Sequence, residues 1–582
     1  MCSTFARTLP KRRVRALPFR EFAAQLRFLL HRPEHARLFR RALLRVTCVA
    51  LIAVHRAVVL ADQIVHHLRV VHLARRHARI VHETAFRIDA DVRLHAEVLL
   101  AHIIHRLLRN ELMSGDEVFD LAYGSVVEAA PGAAPLIAMN STPFLPNLSP
   151  VQSKPLTALQ DAGNLSSNGG LVMLREAARQ LGLADMIASR LSDERNPMCV
   201  RHTYADMITA RCMAIAAGYE DADDLDHLRR DPVLMMACER APETGAGLPS
   251  QPTISRLENT ADIWTLVSIA KGYIDLFCAQ YRTAPAAITL DIDDTDDMVH
   301  GGQQLSMFNT HAGGTCFKPI KIFEANSGLP VLTMIRPGKR PTGEEAAKVL
   351  AFCIRRIRRN WPHVRILVRG DSHYCAPEVL DLMRTLDCDY IIGLAINPKL
   401  DAKAAPWREQ CAKRWWPSLG KVRRFHTFTY RAGSWSKTEK VIARVEATAL
   451  GSDARFIVTN LEGRSKHLYE KVYCARGNME NLIKDIKLYT RSDKTACHRW
   501  QANQFRLFLH MGTYWLLHRL RRAAPKRSRW RHATFATIRC VFIKIAVRVE
   551  ELKSRIKMSF TEHLPHAHTL QMITSRLTAE PP

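Results

Sequence analysis

The sequence predicts an α/β fold, a mixed sheet covered by helices, near the centre of the 582-residue chain. Three observations predict it. An apolar run, 287–292, leads straight into a cluster of aspartates. Two further stretches, 318–325 and 329–335, flank Asn326-Ser327-Gly328 and read as a hairpin. Beyond them strand-like and helix-like stretches alternate, a pattern that lays helices over a sheet.

The elements follow in order. Residues 140–169 are rich in Pro, Ser and Asn and read as a linker or arm. Stretches 171–183 and 202–217 have helical periodicity. Residues 222–230 turn from acidic to basic over one short helix, and 245–252 read as a loop. At Ser250-Gln251-Pro252-Thr253-Ile254-Ser255-Arg256 a proline near a helix start precedes Thr253, Ser255 and Arg256 on the first turns. A recognition helix of a helix-turn-helix begins this way, and a plain surface helix is the alternative. Then come strand 287–292, the hairpin, helix 344–360, strand 364–368, helix 377–386 and strand 390–396. Residues 400–455 break the alternation. They are aromatic and basic, with β-like runs at 424–430 and 441–447, and read as a β-rich insertion. A strand returns at 455–459, a long helix spans about 466–488, and helical segments continue to about 558.

Charge narrows the partner. With 84 basic and 56 acidic residues the chain carries +28, which favours polyanions such as nucleic acid or a membrane surface. A content of 47% apolar and 24% charged residues excludes wholesale disorder, a collagen-like fibre and a coiled-coil rod. The 14 cysteines are scattered without a Cys-x-x-Cys, as in a reduced chain lacking a disulfide framework or structural zinc. No apolar stretch reaches the ~18–20 residues that span a bilayer; the best, 46–61, is interrupted by His55 and Arg56. No secretory signal pattern is present.

Residues 1–110 differ from the rest. They hold 20 Arg, one Lys, 11 His and seven acids, half of the net charge in a fifth of the length. A basic nucleic-acid arm, an organelle transit peptide and GC-rich upstream sequence read through as protein all fit this composition. The third is the expectation, with Met139 as the start, because Arg, Ala, His and Leu without Lys is what an unselected GC-rich frame encodes. From Met139 onward the net charge is still positive.

Chemistry concentrates at three places. The run Leu290-Asp291-Ile292-Asp293-Asp294-Thr295-Asp296-Asp297 follows an apolar strand, and strand ends are where an α/β sheet presents its site. Asp371, in Val368-Arg369-Gly370-Asp371-Ser372, also follows a strand. Two carboxylates at neighbouring strand ends suit Mg²⁺, which takes one or two carboxylates plus substrate phosphates. The third place is Tyr473, Arg476, Glu480 and Lys487. At roughly 100° per residue they share one helical stripe, with Lys484, while Met479, Leu482, Ile483 and Ile486 face elsewhere. The carboxylate could complete a metal site and the cations could clamp phosphates, Arg476 by its planar fork. Intrahelical pairs, Arg476–Glu480 and Glu480–Lys484, are the structural alternative.

Together these residues resemble the DDE transposases of bacterial insertion sequences, in the group with the YREK signature. The flanking text agrees: 250–259, His300-Gly301-Gly302-Gln303 and Asn503-Gln504-Phe505-Arg506. The resemblance covers roughly 165–520. It implies a ribonuclease H-like catalytic core, with a β-rich insertion before the glutamate helix, preceded by a helical DNA-binding region. It implies a Mg²⁺-dependent triad of Asp293, Asp371 and Glu480 holding two Mg²⁺ ions, for which Mn²⁺ substitutes. Asp293 is preferred to Asp291 or Asp294 because the family pattern is Asp, small residue, Thr. Tyr473, Arg476 and Lys487 would contact the DNA backbone, and Thr253, Ser255 and Arg256 would bind DNA. The implied reaction is cut-and-paste movement of the encoding element, acting on terminal inverted repeats and target DNA. The resemblance further implies at least a dimer in the active complex, no membrane, and a bacterial cytoplasmic, nucleoid-associated location. His373 departs from the small residue expected there.

The expected divisions are 1–138 as the Arg/His-rich extension and 139–280 as the helical end-binding region. Next come 281–399 as the first part of the core, 400–455 as the insertion, 456–560 as the second part with C-terminal helices, and 561–582 as a tail. Two rival readings stand beside this one. One is a remnant that binds DNA ends without cutting. The other is a haloacid-dehalogenase-type phosphatase, with Asp291 as nucleophile and Asp293 as acid/base. In the insertion, Trp415, Trp416 and Trp435 are candidates to stack on an unpaired base, with core packing the alternative. Runs 519–531 and 355–359 offer basic patches or solvated helix faces.

Overall fold

The computed structural model describes residues 145 and 148–579, except 419. The Arg/His-rich segment and Met139 lie outside the described residues. The described residues belong to one compact unit, within 141–582.

Its centre is an eight-stranded mixed sheet. The strands are β1 (Ala287–Asp294), β2 (Ile320–Glu324), β3 (Leu329–Met334), β4 (Arg365–Gly370), β5 (Asp389–Leu394), β6 (Val422–Tyr430), β7 (Glu439–Thr448) and β8 (Gly451–Thr459). Their spatial order is β6-β7-β8-β5-β4-β1-β2-β3. β1, β4 and β5 are parallel, and the remaining neighbours pair antiparallel. The β2–β3 hairpin turns at Asn326-Ser327-Gly328, where Gly328 takes φ +73°, a left-handed conformation that glycine adopts at no steric cost. The central strands read as near-continuous apolar runs because both faces are covered: Leu290, Ile292, Ile322, Val331, Val368 and Ile392 are all buried.

Among the described residues, seven helices precede the sheet: α1 (Leu171–Leu181), α2 (Leu183–Ala188), α3 (Tyr204–Ala217), α4 (Asp224–Leu228), α5 (Pro232–Ala237), α6 (Gln251–Glu258) and α7 (Ile263–Ala279). Within it lie α8 (Gly343–Asn360), α9 (Pro377–Thr385) and α10 (Pro398–Ser418). After it come α11 (Asn478–Lys484), α12 (Trp500–Ala523) and α13 (Ala567–Thr578). α8 begins at a capping box between Thr342 and Glu345. Helix α12 is buried along nearly its whole length. Tyr514 and Trp515 donate to the Gly328 and Pro330 carbonyls of the β2–β3 hairpin, while Thr513 donates to the Cys212 carbonyl of α3. The N-terminal helices and the sheet therefore share one core rather than standing as separate domains.

Four expectations are corrected. Residues 400–455 open with the 21-residue helix α10. Their strands are no separate β layer: β8 takes the open edge of β5, and β7 and β6 follow in register. The helical run 465–489 is not uniform; it passes through π-helix at Leu468–Tyr473, a 3₁₀ turn at Cys474–Gly477 and π-helix again at Asp485–Tyr489. Residues 547–560 form a hairpin, Val547–Leu552 with Arg555–Phe560, rather than helix. Val547 and Val549 are buried at alternate positions, a period-2 pattern, and Leu165–Ser166 joins the hairpin as a third strand. Finally, the tail carries α13, which buries Ile573 and Leu577.

Candidate active site

β1 and β4 pair in parallel with Asp291 beside Arg369. Two residues further on, that register brings Asp293 next to Asp371, the first residue after β4. Side chains alternate along β1, so Asp291 and Asp293 share one face and Asp294 takes the other.

Of the neighbouring acids, Asp291, Asp294 and Asp296 are committed to structural partners. Asp291 is buried and receives a two-pronged contact from Arg369: Nε donates to Oδ1 at 2.6 Å and Nη2 to Oδ2 at 2.8 Å. The third edge of the same guanidinium donates to the Val472 carbonyl of the helical run at 2.8 Å. Such enclosure leaves Asp291 no access to a substrate, which removes the phosphatase reading. Asp294 accepts the Tyr374 hydroxyl at 3.0 Å and pairs with Lys318 at 3.0 Å; Lys318 also donates to Asp296 at 2.6 Å. Asp297 is buried with both oxygens unpaired among the described residues, and burial pushes it up to about 7 against the pull of Lys321 and Lys487.

Asp293 pairs with Arg476, whose Nη2 lies 2.7 Å from Oδ2. Burial pushes the Asp293 carboxyl up to about 7; Arg476 pulls it down, and Asp371 and Asp294 push it up. Asp371 caps the turn Ser372–Tyr374, its Oδ1 accepting the His373 N–H at 2.9 Å, with His373 Nδ1 3.8 Å from Oδ2. The Arg476 Nε is buried without a hydrogen-bond partner among the described residues.

Tyr473 stands one turn before Arg476. A Cβ on Gly393 would lie 2.7 Å from its hydroxyl and 2.9 Å from the Ser372 nitrogen. Gly393 therefore lets the tyrosine settle beside the Asp371 turn. Gly393→Ala is expected to cost about 1–3 kcal/mol of stability by overpacking. Adding Tyr473→Phe should recover part of that loss in a thermal melt; no recovery would mean the clash is with the backbone instead.

Of the predicted site residues, Asp293, Asp371, Tyr473 and Arg476 come together. Lys487 spends its ammonium on the loop after β1, donating to the Thr295 hydroxyl at 3.2 Å and to the Asp296 carbonyl. Glu480 is exposed and forms no hydrogen bond or ion pair with any described residue. The described residues contain no group of three or more His, Cys, Asp or Glu able to hold a metal ion. The uneven winding of 465–489 is the physical reason that a stripe drawn at constant rotation does not bring all four side chains to one point.

In α6, Arg256 is exposed, while Thr253 and Ser255 are half-buried and Thr253 Oγ1 lies 3.1 Å from Ser250 Oγ. Glu258 at the other end is buried against Arg211 at 3.1 Å and Arg506 at 3.7 Å, clamping α6 to α3 and α12. Of the tryptophans, Trp435 is core, edge-on to Tyr430, Trp415 is half-buried and Trp416 is exposed. The 519–531 run is largely structural: Arg521 pairs with buried Asp485 at 2.5 Å, and Arg519 bonds Gln180 and Gln280. Sequence reasoning missed Arg369, Lys318, Tyr374 and Gly393. Only Arg369 carried a signal, as a cation directly after the apolar run Ile366–Val368.

Residues 148–582 match the family model described as a transposase DDE domain of group 1. A solved structure, the synaptic complex of piggyBac transposase with hairpin DNA, matches at 10% identity and a TM-score of 0.34, over 71% of this chain and 83% of that one. No curated protein sequence gives a significant match.

Proposed function

We propose that this chain, which belongs to the group 1 DDE transposase family and is a DDE-type transposase, moves its own insertion sequence by a Mg²⁺-dependent cut-and-paste route. Cleavage at the terminal inverted repeats frees a 3′-hydroxyl, which then attacks target DNA. One observation carries the reading: Asp293 and Asp371 end adjacent parallel strands, and the Asp293 carboxyl is held well above the ordinary carboxylate range.

DDE transposases typically use a divalent metal, and the donor set here suits one. Two neighbouring carboxylates, with water and substrate phosphate supplying the remaining ligands, fit Mg²⁺. Asp293, Asp371 and, once brought in, Glu480 would hold two ions, with Mn²⁺ as a substitute. The metal would supply Lewis acidity at the phosphate and a more acidic bound water. The protein's own groups do the rest. Arg476 pairs with Asp293 through one nitrogen and would contact the DNA backbone beside it. Tyr473 borders the Asp371 turn, and Lys487 fixes the loop after β1 to the helix. Thr253, Ser255 and Arg256 would meet DNA from α6. Holding two DNA ends requires at least a dimer, acting where the bacterial chromosome lies. Among the described residues no helix is long and apolar enough to cross a membrane.

A second reading draws on exposed Glu480: an end-binding protein that no longer cuts. A cleavage assay on the element's flanking ends with Mg²⁺ separates the two. Glu480→Gln should abolish cutting and spare binding. Undiminished cutting by that variant would remove Glu480 from the triad, and binding without cutting by the natural chain would favour the remnant.

Acidity should matter to the metal. Below about pH 7 Asp293 holds a proton that a cation must displace. Mn²⁺ affinity is expected to fall up to tenfold per pH unit below 7 and to level off above it. The linkage sign agrees: a raised carboxyl contributes stability below its unfolded value of 3.8 that is lost as pH rises through about 7. Calorimetric Mn²⁺ titrations at pH 6 and 8 with equal affinities would contradict the assignment of that proton.

A further inference from the structure

We propose that the groove between α7 and α8 is a second DNA-backbone site, separate from the strand-end carboxylates and independent of whether the chain cuts. This groove, about 380 Å³, is lined by Lys271 of α7 and Lys348, Phe352, Arg355, Arg356 and Arg359 of α8.

The four arginines at 355–359 do not form one solvated face. Arg358 turns away, donating to the Leu386 and Asp387 carbonyls beyond α9. Arg356 is locked by two bonds to Asp275, at 2.8 and 2.5 Å, and Asn360 donates to the same carboxylate at 3.0 Å. Asp275 is thereby used up. Lys271, Arg355 and Arg359 are exposed and form no ion pair with any described residue. Lys348 has only a solvent-exposed i,i+4 pair with Glu344, the kind worth little.

Helical spacing puts Lys348, Arg355 and Arg359 on one line, eleven residues or about 16 Å long. Duplex DNA presents one phosphate per ~3.4 Å of each strand, so a backbone following this line meets several. Unpaired like charges held this close repel one another, and a polyanion relieves that repulsion. Arginine in particular grips phosphate by its fork. α8 begins beside the start of α9, since a Cβ on Gly343 would meet Ala376 and Glu378.

The test is binding of a random-sequence 30-base-pair duplex to the full chain without metal, followed by fluorescence anisotropy across a salt series. The variant Lys271→Gln/Arg355→Gln/Arg359→Gln should reduce the slope of log K against log salt by about 2 to 3, near 0.9 per lost phosphate contact. Arg355→Lys/Arg359→Lys keeps the charge and should keep most of the slope. Matching thermal melts establish that both variants are folded. An unchanged slope in the Gln variant overturns the proposal. So does an unchanged slope with lost binding of polyglutamate, which would make the groove a site for an acidic protein. Cleavage with Mg²⁺ is read separately on the same variants, so failure of the cleavage reading and failure of this one are distinguishable.

Discussion

Asp371→Asn and Asp293→Asn are each expected to lower single-turnover DNA cleavage by at least about 10³-fold, with duplex binding held within about threefold. Either substitution keeps size and shape and removes one of two adjacent carboxylates. In the proposed reaction a cation site worth several kcal/mol to the transition state would lose a ligand, and about 4 kcal/mol corresponds to 10³ in rate. The fold should tolerate both changes. Asparagine caps a turn about as well as aspartate, so an amide oxygen at position 371 can still accept the His373 N–H that Asp371 accepts at 2.9 Å. An amide at position 293 leaves Arg476 short of one charged contact at a half-buried place. Asp294→Asn is the informative contrast. Asp294 sits on the opposite face of β1 and holds Lys318 and Tyr374, so its loss should appear in the melting temperature more than in the rate. Asparagine at 371 with cutting within tenfold of wild type would remove that residue from the chemistry.

The sequence was most legible where local physics and burial agree. β1 to β5 and α8 were readable because apolar runs of strand length and a capped amphipathic helix admit few alternatives. The strand-end acids were readable because charge directly after an apolar run has to lie at the sheet's edge. Rotation along 465–489 was not readable: Gly477 sits in a 3₁₀ turn between two π segments, and a constant-angle stripe averages over them. Arg476 and Tyr473 reach the aspartates, while Lys487 turns to Thr295 and Asp296. The place of 422–459 in the sheet was equally hidden, because alternation marks a strand but not its neighbour. The pairing Phe456 with Leu394 that joins this region to the core spans 62 residues.

Arg369 is the residue whose loss should cost the most stability near the site. It is buried, as is Asp291, and it ties three elements: β4, β1 and, through the Val472 carbonyl, the helical run that carries Arg476 one turn later. Burial pushes the Asp291 carboxyl upward, and Arg369 is the largest influence opposing it. Arg369→Leu strands that carboxylate and is expected to cost about 3–5 kcal/mol in denaturant unfolding. An exposed pair such as Lys348–Glu344 should contribute under ~1 kcal/mol by comparison. The double variant Asp291→Leu/Arg369→Leu removes both charges and should recover most of the loss. It should fall short by about 1 kcal/mol for the bond to Val472. Cleavage should not recover with it, because the tether that sets the Arg476 turn against Asp293 is still missing. A single variant that unfolds within ~1 kcal/mol of wild type would show that the pair merely fills space. A double variant that regains full cleavage would show that packing of the helical run places Arg476 without the tether.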